Sequence, residues 1–184
     1  MIAAPGGTRR TIRIGGLSKA ELRRKLEDAA VALNAYAEQL FASDRFETCE
    51  TSRHVDIAVL SVGDLGLPAG GTMAEIVKRA AELGLQPCLL ERGPHFRLQF
   101  LDQPEADPSE DERPHQAPPG SITVVSEPLI DDDDFPKGFY LRCIDGVLWL
   151  RGYVSGPGHI WQPDDRLAFV EEDDLESSGK SRGG

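Results

Sequence analysis

Asp145 followed by Gly146, set between two alternating runs in residues 139–153, constrains this chain more than any other feature in it. A two-residue type I′ loop needs positive φ at both central positions, which Asp tolerates and Gly adopts freely. The turn sets the register of a hairpin. Ile144 then faces Val147, Cys143 faces Leu148, Arg142 faces Trp149, Leu141 faces Leu150 and Tyr140 faces Arg151. Successive strand residues point to opposite faces, so Leu141, Cys143, Leu148 and Leu150 form a core face. Tyr140, Arg142, Trp149 and Arg151 form the other. Such an aromatic and arginine lattice can stack a planar group and grip a carboxylate or phosphate. It can equally stack on itself, since cross-strand cation–π pairs stabilise a hairpin by about 0.5–1 kcal/mol without a ligand.

A chain of 184 residues suits one domain and can bury roughly 70% of its unfolded surface, so no staple is required. Cys49, Cys88 and Cys143 are far apart with no C-x-x-C pair, and read as reduced thiols of a cytoplasmic protein. The start of the chain has no apolar run of signal-peptide length, and no stretch approaches a membrane span. The net charge of −11 is uneven: residues 1–34 carry seven Lys/Arg against three Asp/Glu, whereas residues 101–184 carry seven against nineteen. Long-range attraction to nucleic acid or an anionic membrane is thereby disfavoured, and a protein partner of basic character is favoured.

Residues 11–14 read as a short strand. Ser18 with Glu21 forms a capping box, and Leu22, Leu26, Ala29, Ala30 and Leu33 then fall at helical spacing, continued by Tyr36, Ala37, Leu40 and Phe41. Residues 55–62 read as a strand. Thr72 with Glu75 repeats the capping box ahead of a helix that Gly84 ends. Phe96, Leu98 and Phe100 alternate with Arg97 and Gln99, the pattern of a strand whose polar side could extend the lattice, with Glu127 at its border. Residues 104–120 hold five prolines and no large apolar residue, and are expected to be a disordered loop. Strands follow at 121–127, in the hairpin and at 167–170; residues 172–184 form an acidic, then Ser/Gly-rich tail expected to fray.

Helices early and strands late argue for an α+β fold, an antiparallel meander of four to five strands with two or three helices packed on one face. The domain is expected to span residues 10–171, with 104–120 inserted. A parallel sheet is not expected, because the spacers in the second half are too short for helical crossovers.

The motif search excludes more than it names. His54, His95, His115 and His159 lack ligand spacing, and Asp131 to Asp134 lack the glycine and distal glutamate of a calcium loop, so no metal or other cofactor is expected. There is no Gly-x-Ser-x-Gly elbow and no Walker lysine loop. Cys49 lies between glutamates that would raise its pKa and blunt a thiolate. Arg23, Arg24 and Lys25 could touch phosphate as part of a helix-turn-helix, although the stretch between the two helical pieces has no glycine turn.

Phe46-Glu-Thr-Cys-Glu50, Val62-Gly-Asp-Leu-Gly66, Ala81-Glu-Leu-Gly-Leu85, Arg97-Leu-Gln-Phe-Leu-Asp-Gln-Pro104, Trp161 and Asp165-Arg-Leu-Ala-Phe169 together resemble a family of short bacterial proteins. The resemblance covers about residues 10–171 and implies a bacterial origin; it carries over no activity, cofactor or catalytic residue. The function expected is therefore binding rather than catalysis, as an accessory, inhibitor or immunity-type protein. Its contact face is expected to be Arg97, Gln99, Tyr140, Arg142, Trp149 and Arg151. Two alternatives stay open: a small hydrolase with Glu127 or one of Asp131 to Asp134 as base beside Arg142, and nucleic-acid contact through residues 9–25.

Overall fold

In a computed structural model of the chain, residues 6–171 other than Asp111 are described, so the expected tail at 172–184 lies outside the described residues. The hairpin has the register that its turn dictates. β6 (Gly138–Ile144) and β7 (Val147–Tyr153) pair from Ile144↔Val147 out to Gly138↔Tyr153. Asp145 and Gly146 stand at φ 50° and 75°. Leu141 and Leu150 are fully buried on the core face.

The hairpin belongs to a larger sheet. Its other strands are β1 (Thr8–Ile14), β2 (Ala32–Leu33), β3 (Arg53–Ser61), β4 (Leu85–Gln86), β5 (Ile122–Val124) and β8 (Arg166–Glu171). Their order is β1-β3-β8-β5-β6-β7-β2, with β4 paired to the end of β8. Two of these pairings are parallel, β5 with β8 and β7 with β2, and the others are antiparallel. Four helices complete the described residues: α1 (Lys19–Asp28), α2 (Ala35–Ala42), α3 (Met73–Glu82) and α4 (Arg92–Gln99).

This overturns the antiparallel meander of four to five strands. The sheet has eight strands, is mixed, and carries helices on both faces. Along β3, Val55, Ile57 and Val59 join the core under α1, α2 and α4, while Ala58 and Leu60 join a second core with Ile76 and Ala80 of α3. Parallel pairing needs no helical crossover here. After β5 the chain runs through the hairpin, then returns over residues 154–165 to lay β8 beside β5. The return is pinned where Trp161 exchanges backbone hydrogen bonds with Gly71 (3.1 and 2.8 Å). The two-residue strands β2 and β4 are too short to show a period of two.

Two local expectations fail for physical reasons. The apolar stripe from Leu22 does not run on as helix through Leu33, because Ala30 takes a positive φ of 56° and the chain becomes β2. Asn34 then caps α2 by accepting from Ala37 N–H (2.9 Å), and its amide also exchanges two hydrogen bonds with Gly152 of β7 (2.8 and 3.0 Å). Gly152 permits this approach, since a Cβ there would lie 2.7 Å from the Tyr36 backbone. Residues 96–100 are not a strand either. They end α4, where Phe96 and Phe100, four apart, stack at 5.6 Å on one helical face. Pro94 falls in the first turn, where its missing N–H costs nothing.

Candidate functional site

Helix α3 covers the second face of the sheet only over β3 and β8, leaving the β5–β6–β7 half without a helix. Tyr140, Arg142, Trp149 and Arg151 stand on that open half, all partly buried. The two arginines of the lattice are engaged by its rings and by a carboxylate, although Arg151 Nε is buried without a hydrogen bond. The Arg151 guanidinium lies 5.0 Å from the Trp149 ring centroid and 5.9 Å from that of Tyr140. Arg142, its side chain 14% exposed, is ion-paired with Glu112, which holds that carboxyl below its usual range.

Glu112 belongs to the proline-rich segment 104–120, whose described residues hold no helix or strand and reach this face through Glu112 and Arg142. Its neck is closed by Gln103, whose amide donates to Gly120 O (3.1 Å) and Leu141 O (3.2 Å). The Gln103 oxygen in turn accepts from Arg97 (2.6 Å). Glu105 accepts the Gly146 N–H at the hairpin tip.

Between the segment, the sheet and the 154–161 return lies an open-mouthed cleft of about 370 Å³. Tyr140, Tyr153, His159 and Trp161 give it aromatic walls, with Thr123 and Gln116 as polar lining. Tyr153 meets Trp161 edge-on at 5.7 Å, and His159 does so at 5.1 Å. Burial raises the pKa of the Tyr140 and Tyr153 phenols, leaving both protonated donors, and lowers that of His159, which favours a neutral imidazole. Two polar atoms here are buried without a hydrogen bond: Trp161 Nε1, on a residue 3% exposed, and Gln116 Oε1. A buried donor left unmet costs roughly 1–3 kcal/mol, so such pairs mark either strain or an absent partner.

Arg97 and Gln99 do not join this surface. Both sit on α4, Arg97 buried and Gln99 exposed beside β1, and this places them apart from the Tyr140–Arg151 face. Arg97 is fully buried, donating to Gln103, to Trp149 O (3.3 Å) and to Phe100 O. Burial pulls its pKa down to about 10. Gln99 bonds Arg13 N–H (2.8 Å) and Arg13 O (2.7 Å), standing in for a strand at the edge of β1. Glu127 lies past one end of β5 and Arg142 near the other end of β6, about six residues of strand or roughly 20 Å apart, so they form no acid–base pair.

A second polar cluster, which no local pattern in the sequence marks as a site, gathers at the start of α4. Glu91 is 1% exposed and accepts from Cys49 N–H (3.1 Å) through Oε2, while Oε1 has no partner. Arg92 is fully buried with none of its three guanidinium nitrogens bonded. His95 accepts from Gly15 N–H (3.2 Å), and burial lowers its pKa. Cys49 has a raised pKa as the sequence suggests, but the cause is a hydrogen bond to Glu91 rather than its neighbours in the chain. The sequence shows it only as Glu91-Arg92-Gly93-Pro94-His95, a dense polar run with a helix-starting proline.

Among the described residues no three His, Cys, Asp or Glu side chains converge as a metal site, and no helix is long and apolar enough to cross a membrane. No known protein family, curated protein or solved structure matches the chain.

Proposed function

We propose that this protein is a binding module that takes a flat, uncharged polar molecule into the cleft between Tyr140, Tyr153 and Trp161. The observation that carries this is the unbonded pair of Trp161 Nε1–H and Gln116 Oε1 within an aromatic-walled cleft. Rings that carry both a hydrogen-bond acceptor and a donor complement these two groups in kind and can stack on a Tyr face. The volume suits a molecule of one or two rings. Strongly anionic ligands are disfavoured by the net charge of −11 and by Glu112 already occupying Arg142.

Saturation-transfer NMR with adenine, uracil and nicotinamide tests this. At least one should receive saturation from the protein, and Tyr140→Ala should weaken it about tenfold, as loss of one stacked ring does. Silence from all three, or an unchanged response in a folded Tyr140→Ala variant, would count against the reading.

A second reading is favoured by Val154 and Ile160, both exposed beside the cleft. Here the flat group is an aromatic side chain of a basic protein partner, and the two apolar residues form the rim of a contact. Replacing both by serine would abolish capture of such a partner while leaving small-ring binding intact.

A further inference from the structure

The Glu91 cluster borders a separate cleft of about 460 Å³, between residues 45–49 and the β4–α4 turn. Its walls are mostly apolar, from Pro87, Leu89, Leu90 and Leu129, and its carboxylates are Glu47, Glu91 and Glu127. We infer that this cleft binds an organic cation, a primary ammonium at the end of an aliphatic chain, with Glu91 Oε1 accepting its hydrogen bond.

Glu91 leaves undone what its position in the helix invites. It holds the N-cap position of α4, where a carboxylate ordinarily bonds the free amides of the first turn, yet it makes no such cap. Those amides are met by backbone instead: Arg92 N–H bonds Leu89 O (3.0 Å) and Gly93 N–H bonds Leu90 O (3.1 Å). Glu91 is one of the residues that line the cleft; its Oε2 is held by the Cys49 amide, and its buried Oε1 has no hydrogen bond. A buried acceptor left unbonded is costly, and an ammonium donor would complement it.

His95 stands 3.9 Å from Glu91 Oε2, but the nitrogen facing it accepts from Gly15 and burial disfavours its charged form. Arg45, at the rim, donates to Leu129 O (3.3 Å). Arg92 is not among the residues that line the cleft, and its buried guanidinium makes no hydrogen bond. The apolar walls then suit a chain of several methylenes behind the ammonium. No converging set of three metal ligands exists among the described residues, which separates this site from one for a metal ion.

Cys49 supplies the readout, because it is exposed, lines the cleft and touches Glu91. Alkylation of the full-length protein by iodoacetamide is followed at Cys49 by peptide mass spectrometry, with Cys143 on the distant hairpin as internal control. 1,5-Diaminopentane should slow alkylation of Cys49 and leave Cys143 unchanged, whereas 1-pentanol should protect neither. Glu91→Gln, near-isosteric, should weaken the protection about tenfold. Glu127→Gln at the mouth should weaken it less and guards against a misfolded Glu91 variant. Equal protection by the alcohol, or none by the diamine, would overturn the inference. Rings bound in the Tyr140 cleft do not enter this assay, so the two proposals fail separately.

Discussion

At the scale of single residues, partial burial changes how a polar group titrates even where it keeps a hydrogen bond, and Asp165 shows what this does to stability. Its carboxylate accepts from Gln162 N–H (2.8 Å) in the turn ahead of β8. Burial, with Asp164 beside it, nevertheless raises its pKa from 3.8 to about 6. A raised carboxyl pKa means that the folded state holds its proton more tightly than the unfolded chain. The favourable contribution is therefore complete below about pH 4 and is lost as pH rises through about 6. Thermal unfolding of Asp165→Asn, which keeps the acceptor, should lose this component between those pH values relative to the wild type. An identical pH profile in the two proteins would show that the carboxyl is well solvated. Cys88 is the apolar counterpart, a thiol in the first core whose pKa burial pushes up to about 11, so it stays protonated and unreactive.

At the scale of elements, α4 acts as a bolt, because one guanidinium links three pieces of chain. Arg97 holds its own helix end at Phe100 O, the hairpin at Trp149 O and the neck of the 104–120 segment through Gln103. Arg97→Ala should cost about 3–5 kcal/mol in urea unfolding, since it strands buried acceptors, and Arg97→Lys should recover little of this. A loss below about 1 kcal/mol would mean that water replaces the guanidinium. The same helix explains what could and could not be read from the chain. The hairpin was legible because Asp145-Gly146 admits few turns, and the capping boxes at Ser18 and Thr72 form as their spacing implies. Residues 96–100 were not legible. Phe96 and Phe100 satisfy a period of two and an i,i+4 spacing alike, and only the tertiary bonds of Arg97 and Gln99 distinguish them. Of the expected contact face, Tyr140, Arg142, Trp149 and Arg151 share one sheet face, because hairpin register is local. Tyr153, His159 and Trp161 reach the cleft through a long-range return that no local pattern announces.

For the whole molecule, one continuous sheet separates two cores that share the strands β3 and β8, and this predicts cooperative behaviour. Trp149 reports on the open half and Trp161 on the core under α3. Fluorescence of either single-tryptophan variant, with the other replaced by Phe, should trace the same urea midpoint as far-UV circular dichroism, as one two-state unit does. Separate midpoints would mean that the β6–β7 half opens by itself. The closure at Gln103 reaches further than stability. Because a single amide, braced from within by Arg97, fastens residues 103 and 120 to each other and to β6, the span between them is a detachable module. Its length and content can drift, or be exchanged by design, while the frame that presents it keeps its register. A scaffold of this kind can acquire a new specificity by rewriting one segment, leaving unchanged the residues that make it fold.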